Sequence, residues 1–599
     1  MPNFYDDNPD IRFNLDRAPL AEIARLRERD FAEAESYPFA PRDAAEAVEI
    51  CHETLRIAGD IAGDFIAPRA EAVDREGAQL HDGVVTYAKG TQEALERLSG
   101  ADLMGFTLPR KYGGINMPHT VYAAAIEMVS RADAALMTIF GLQDIGETIL
   151  RFADDPLKDR YLPRFASGQA TGAMALTEPD AGSDLQAVRL KASPDPTEPG
   201  LWRLNGVKRF ITNGCGDVLL VLARSEEGTT DGRGLSLLIA EKGPGLRVRR
   251  IEDKLGIHGS PTCELQFTHC PAWLVGRRRF GLIKYTMDLM NGARLAIAAQ
   301  SVGLCEAAYR EALAYARERE QFGKAILHFP AVADLLVGMR LKLELARTLT
   351  IDCGVAVDFE KEYEALQAAP ARETLARANA RAREMDAKGQ SAAEIGNQAE
   401  AKALYKKWHG YASTLTPMAK YYASEAALEL SNTALAVLGG SGFMRDYPVE
   451  RYIRDARITS IYEGTSQLQV VAILAGLLGG DLAPLLAELA GRTYGGATGR
   501  FAPDVCAALE KSDAALDYVK QRAERDYTDL VGRQLADMAI DVYCGFRLLR
   551  QAEASGDKAL LAEIFIPAMT RRVRVASDAI HSGSSALLDH YRTLLGAQA

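Results

Sequence analysis

From about Asp43, apolar residues recur at three- and four-residue spacing in EAVEICHETLRIAGDIAGDFIAP and in HTVYAAAIEMVSRADAALMTIFGLQDIGETILRFA. That period predicts amphipathic helices, parted by a turn at Lys111-Tyr112-Gly113-Gly114. Between about 171 and 276 the texture changes to short β-rich runs (GLWRLNG, KRFITNG, VLLVLAR, LSLLIAE, LRVRR) with Gly, Pro and Asn between them. These predict a compact antiparallel β domain. Helical spacing returns after Phe280. A more polar stretch at 359–410 has helix-forming composition but little apolar stripe, and reads as an inserted, solvated helical hairpin. A Gly-rich patch (Gly479-Gly480, then GRTYGGATGR) reads as a linker to a last helical module. Residues 1–42, mixed and charged, read as a strap across the surface.

The expected fold is therefore multidomain and mainly α with a central antiparallel β domain. Its parts are an N-terminal extension (1–42), a helical domain (43–168), the β domain (169–280), a second helical domain (281–478) and a C-terminal helical domain (479–599).

Composition narrows the function. The 599 residues are 25 % charged and 48 % apolar, which excludes wholesale disorder and a collagen-like fibre. The net charge of −11 comes without a basic patch, so no nucleic acid is expected as a partner. Eight scattered cysteines with no C-x-x-C form neither a disulfide framework nor a metal set, and fit reduced thiols in the cytoplasm. The N-terminus is acidic where a secretory signal needs positive charge. The run VVAILAGLL falls well short of the ~20 residues that cross a bilayer, so no integral membrane segment is expected. The dinucleotide fingerprint G-x-G-x-x-G is missing, since GCGDVL at 214–219 and GPGLRV at 243–248 both lack the third glycine. Walker A, H-E-x-x-H and G-x-S-x-G sequences also fail, which removes ATPase, zincin and α/β-hydrolase readings.

Three polar, Gly-containing segments remain. MALTEPDAGSD at 174–184 runs an apolar strand into a turn where Gly182 admits close backbone approach and Thr177 and Ser183 offer hydroxyls. FITNG at 210–214 places an N-G turn after an alternating strand. IYEGTSQ at 461–467 precedes an apolar helix that Thr465 or Ser466 would cap, its free amides suited to an anion such as a pyrophosphate, with Glu463 beside flexible Gly464 on the approach loop. Alone, the first reads as readily as a hairpin loop and the third as a solvated acid before a helix, while FITNG reads as plain hairpin chemistry.

Together they closely resemble the acyl-CoA dehydrogenase family over roughly 45–475. The landmarks come in order: KYGG, LTEPDAGSD, FITNG, NGAR with Arg294, REQFGK at 319–324, LGGSGF at 438–443, YPVERYIRDAR and IYEGTSQ. The likeness extends to enlarged bacterial members with an insertion in the second helical domain and an added C-terminal helical domain, as in the 3-methylmercaptopropionyl-CoA dehydrogenases.

The resemblance implies FAD bound without a dinucleotide fingerprint. Met174, Leu176, Thr177 and Ser183 would line the flavin, Phe210 and Thr212 would flank its ring, and Thr465 and Gln467 would hold the dinucleotide. Arg319 and Phe322 would reach the FAD of an adjacent subunit, with the backbone at Gly439-Gly440 along its pyrophosphate, implying a homodimer or homotetramer. The reaction would be α,β-dehydrogenation of an acyl-CoA to a trans-2-enoyl-CoA within fatty acid β-oxidation, with Glu463 as α-proton base. The thioester oxygen would be held by a flavin ribityl hydroxyl and the Glu463 backbone N–H, and electrons would go to an electron-transfer flavoprotein. Ser183, Arg294 and Gly464 would touch substrate. Arg294 would orient the base loop or the CoA, the plainer reading being a helix arginine in a salt bridge.

A minority branch carries the base just before the helix arginine. Here that residue is Ala293, which leaves Glu463. Departures from the family pattern are Phe210 for a tryptophan, Ala436 for a glutamine and Phe329-Pro330 for a His-Gln pair. The alternatives are an acyl-CoA oxidase using O2, against which the C-terminal LLGAQA lacks a peroxisomal address, and a non-catalytic acyl-CoA-binding protein.

Overall fold

A computed structural model of the chain describes residues 2–368 and 398–596. The helical, β, helical order holds, and a further helical module follows it. The core of the first helical domain is the His119–Ala132 helix, buried on nearly every face. It packs against the Met287–Glu318 and Pro330–Ala368 helices, so the two helical domains share one apolar core.

The β domain closes on itself. Thr262–Leu274 pairs with Leu201–Thr212 on one side and Leu235–Glu241 on the other, and Leu235–Glu241 pairs with Val218–Arg224. Lys191–Pro194 completes the ring by pairing with both Leu201–Thr212 and Arg224. Closure hides sheet edges that would otherwise seek partners, and a second apolar cluster that includes Trp202, Leu219, Leu265 and Phe267 fills the middle. Most pairings are antiparallel, as the alternation predicts. Two pairings are parallel, those of Gly172–Ala175 and of Lys191 with the Val218–Arg224 strand. The runs GLWRLNG and KRFITNG are one strand, Leu201–Thr212, kept continuous by irregularities at Leu204/Gly206 and Lys208/Ile211. Gly206 adopts φ 144° at the first, a conformation open to glycine.

Three expectations change. The N-terminal stretch is no surface strap, because Phe4, Tyr5, Ile11 and Leu15 are buried in the main core. Asn8 caps the Pro9–Leu15 helix that carries two of them, and the chain passes so close to Gly63 that an added Cβ would lie 2.2 Å from the Pro2 carbonyl. The flanks of the polar 359–410 stretch are not solvated either. Phe359, Tyr363, Leu366 and Ala401 form a buried cluster against Trp408, as extensions of the Pro330–Ala368 and Gln398–Leu438 helices. The rest of that stretch lies outside the described residues. The Gly-rich linker contains a helix, Ala483–Ala490, with Leu486, Leu489 and Tyr494 buried. Glycine composition suggested freedom there, but the leucines between the glycines decide the packing.

The C-terminal helices dock tightly. Tyr543 and Arg547 bond Asp352 at 2.8 and 2.7 Å, Arg533 pairs with Glu425 at 3.0 Å, and Tyr421 donates to Asp537 at 2.8 Å. All eight cysteines are free thiols. No single helix among the described residues is long and apolar enough to cross a membrane. His119, Asp144 and Glu147 bring three ligand-type atoms within 4.8 Å of one another. Lys361 already supplies a cation there, 3.0 Å from His119 Nε2 and 2.5 Å from Glu147 Oε1.

The N-terminal segment is fastened by charge as well as by apolar burial. Arg347, almost wholly buried, meets Glu127 at 2.7 Å, Glu306 at 2.5 Å and Asp10 at 2.6 Å. Removing one partner of such a group strands the others in low dielectric. Arg347→Ala is therefore expected to cost about 3–5 kcal/mol, seen as a clear fall in the thermal unfolding midpoint, whereas an equal midpoint would show that water relieves the three acids.

Candidate active site

The MALTEPDAGSD and FITNG segments are brought together by three cross-links. Asn213, fully buried at the end of FITNG, donates to the Gly172 carbonyl at 2.9 Å and accepts from Tyr87. The Arg209 amide donates to the Thr177 carbonyl at 3.0 Å. Lys208, fully buried, reaches the Leu176 carbonyl at 2.7 Å and Glu178 at 2.9 Å. The irregularity after Lys208 sets Phe210 at φ 62° and turns its ring outward, 50 % exposed, next to partly exposed Thr212. Thr177 is likewise partly exposed, and Ser183 lies on the exposed loop after Gly182. Met174 and Leu176 share an apolar cluster with Met290, which lies one helical turn before Arg294 on the Met287–Glu318 helix.

Arg294 leads to the third segment. Its guanidinium bonds Asn291 at 3.1 Å, its buried Nε has no partner, and its charge acts on Glu463. The loop carrying Glu463 leaves the Val449–Thr459 helix and enters Ser466–Gly479, which Thr465 caps by accepting from the Leu468 amide. Gln467 sits exposed in its first turn. Glu463 and Gly464 are consecutive left-handed residues, φ 52° and 90°. The φ at Gly464 favours glycine, and a Cβ there would lie 2.7 Å from Gln469 Nε2 and displace that amide. Tyr462 ties the loop to Gln300 of the Arg294 helix, and Asp455 accepts from the Ile257 amide of the β domain at 2.5 Å. The Glu463 carboxylate has no hydrogen-bond or ion-pair partner among the described residues. Burial pushes its pKa above the usual carboxylate range, against the pull of Arg294 and then Lys420.

The other site residues are set apart from this centre. Phe322 stands in the two-residue turn of a short hairpin (φ 51° at Phe322, 79° at Gly323), its ring 94 % exposed, and Arg319 lies at the base of the same hairpin. Gly439 and Gly440 follow the Gln398–Leu438 helix, near the same end of the domain, where Tyr315 reaches Ser441 at 3.3 Å. No described contact joins them to Glu463 within one chain.

Profiles of the N-terminal, middle and C-terminal domains of acyl-CoA dehydrogenases match residues 49–169, 173–270, and 283–371 with 369–478. The chain belongs to the acyl-CoA dehydrogenase family. It is similar to a 3-methylmercaptopropionyl-CoA dehydrogenase of Ruegeria pomeroyi, with 32 % identity over 78 % of this chain and 79 % of the relative. It is also similar to a chain solved in work on the electron-transferring flavoprotein of Acidaminococcus fermentans, at TM-score 0.57 and 30 % identity over 72 % of this chain and 98 % of that one. A Bacillus anthracis acyl-CoA dehydrogenase complexed with FAD shares the fold further along, at TM-score 0.70 and 22 % identity over 88 % of both chains.

The family consists of FAD-dependent oxidoreductases, and the residues present fit that group. Added Cβ atoms at Gly182, Gly439 and Gly440 would meet nothing within 4 Å, which leaves backbone open to a ligand. The Phe210 ring offers an apolar face and Thr177, Ser183 and Thr212 offer hydroxyls on the segments linked to it, while the Phe322 ring offers a second apolar face on its separate hairpin.

Lys208, Gln300, Lys420 and Gln469, which no motif singles out, hold the segments in place, as does Asn213, expected only as a turn residue. Lys420 is a lone cation inside the apolar run TPMAKYYAS, a signal of an unusual burial though not of its partner, whereas Lys208 stands beside Arg209 and carries no such mark.

A carboxyl whose folded pKa is raised favours folding only while protonated, and that contribution is lost as pH rises above its unfolded value of about 4.3. Ionised Glu463 thus costs stability at neutral pH. Glu463→Gln should raise the melting midpoint at pH 7 and leave it unchanged near pH 4; a lower midpoint at pH 7 would show the carboxylate to be satisfied.

Proposed function

We propose that the protein catalyses α,β-dehydrogenation of an acyl-CoA thioester with Glu463 as the α-proton base. The observation that supports this most is a half-buried, unpartnered carboxylate held in a left-handed turn in the field of Arg294 and Lys420, with Arg294 one helical turn from Met290, which joins the apolar cluster at the Met174–Leu176 edge of the β domain. FAD bound along that edge supplies the hydride acceptor. An α-proton is weakly acidic, so the base must be basic and dry; desolvation raises the carboxyl toward the pKa range that serves proton abstraction near neutral pH. The Glu463 backbone N–H is assigned to the thioester oxygen, where a fixed donor stabilises charge as it develops. Ser183, Arg294 and Gly464 are assigned to substrate, with Arg294 balancing the charge of the base. Thr465 and Gln467 are assigned to the cofactor's dinucleotide.

We further propose that Arg319, Phe322, Gly439 and Gly440 serve the FAD of a second subunit in a homodimer or homotetramer. Exposed Phe322, Phe443 and Met444 support this, since large apolar groups gathered at one end of a domain suit a partner surface. An electron-transfer flavoprotein is the proposed electron acceptor, on the similarity to the Acidaminococcus fermentans chain, and free cysteines support a cytoplasmic setting. The substrate is proposed from the acyl-CoA class that includes fatty acyl and 3-methylmercaptopropionyl thioesters, on the similarity to the Ruegeria pomeroyi relative.

Assayed with a panel of acyl-CoAs and an artificial electron acceptor, Glu463→Gln should keep FAD and acyl-CoA binding and lose about 10²–10⁴-fold or more in kcat. Wild-type turnover in that variant would refute the base. Peroxide release matching substrate consumption in air would instead mark an oxidase.

A further inference from the structure

Lys420 lies in the middle of the Gln398–Leu438 helix, between the buried residues Met418, Ala419 and Tyr421, and is itself 0 % exposed. Its Nζ donates to the Gly464 carbonyl at 2.7 Å, and no carboxylate lies within ion-pair distance of it among the described residues. A buried ammonium without a paired anion is expensive, and a leucine or methionine would fill the same helix face without that cost. Packing therefore does not explain the lysine. What it faces does. The Gly464 carbonyl also accepts from Gln469 Nε2 at 3.0 Å, and the same amide reaches the Glu463 carbonyl at 3.2 Å. Two side chains thus bind the peptide groups of the two left-handed residues, and a strained turn persists only when its surroundings over-determine it.

We propose that Lys420 is a positioning residue for Glu463: from inside the helical domain it locks the 463–464 turn through the Gly464 carbonyl, and its charge keeps the carboxyl ionised in a dry site. The assignment rests on the reading of Glu463 as base. Burial depresses the ammonium to about 8, with Glu463 opposing the drop and Arg294 adding to it. Around Glu463 the charged or titratable groups are Arg294 from the Met287–Glu318 helix, Lys420 and beyond it Glu425 from the Gln398–Leu438 helix, and Tyr462 on the loop itself. The Tyr462 phenol is pushed far above neutral by burial and carries no charge there.

The two roles separate by substitution in the holoenzyme. Lys420→Arg keeps charge and donor, Lys420→Gln keeps a donor, and Lys420→Met keeps neither. In each background, the infrared carboxyl band that disappears with Glu463→Gln is titrated against pH, a readout that needs no turnover. Lys420→Met and Lys420→Gln should each raise the proton affinity of Glu463 about tenfold or more, and the acidic limb of the kcat profile should move with it. Lys420→Arg should stay near wild type. KM for acyl-CoA should rise in Lys420→Met more than in Lys420→Gln. Equal Glu463 proton affinity in wild type and Lys420→Gln would overturn the proposal. If Lys420→Met fails to fold, the Gln and Arg variants still decide it. Should Glu463→Gln turn over normally, the base reading falls, while the infrared titration still reports whether Lys420 sets the charge of residue 463.

Discussion

A carboxylate that must leave water without losing its charge sets the terms for everything around 460–470. Desolvation favours the protonated form, and an acid that stays protonated is no base. Two cations supply the opposing pull, and each is itself buried enough to have its own pKa lowered. Neither comes close enough to pair with the acid. A tight ion pair would stabilise the carboxylate further and weaken it as a base, so in the proposed role the looser field from Arg294 and Lys420 would keep it ionised and reactive. The backbone completes the arrangement, because consecutive left-handed residues favour glycine at 464 and both carbonyls take side-chain donors.

The rest of the fold brings the partners of that acid to one place. The closed β domain presents the 174–177 edge and the Phe210 bulge side by side, fixed by Lys208, Arg209 and Asn213. The Met287–Glu318 helix joins the apolar cluster at that edge through Met290, and its Arg294 acts by charge on the proposed base. The β domain grips the helix before the base through Ile257 and Asp455. The C-terminal module also reaches this region, since Glu425 accepts from Ser466 at 2.6 Å while pairing with Arg533. The added domain is thereby coupled to the first turn of the helix that follows the base.

Much of this was legible in the chain. Periodicity located both helical domains and the β domain, and motif order pointed to the family that the profile matches establish. Thr465 or Ser466 was expected to cap the helix from their place before an apolar run, and Thr465 is the one that caps. What escaped was set by tertiary contact. Residues 1–42 looked like a surface strap because their few apolar side chains are spaced too irregularly for a pattern, yet Tyr5 and Ile11 bury completely. The parallel pairing of Gly172–Ala175 and the ring closure at Lys191/Arg224 join strands distant in sequence, and alternation carries no information about partners. Lys420 and Lys208 bond backbone carbonyls across the fold, and no local spacing announces such bonds.

Proton abstraction alone tests the central claim most directly. An acyl-CoA with sulfur in place of the β-carbon keeps an acidic α-proton but has no β-hydride to give. In deuterated buffer, NMR of this ligand with the holoenzyme should show α-hydrogen exchange catalysed by the wild type and lost in Glu463→Gln. Equal exchange in both proteins would mean that another group removes the proton and that Glu463 is not the base.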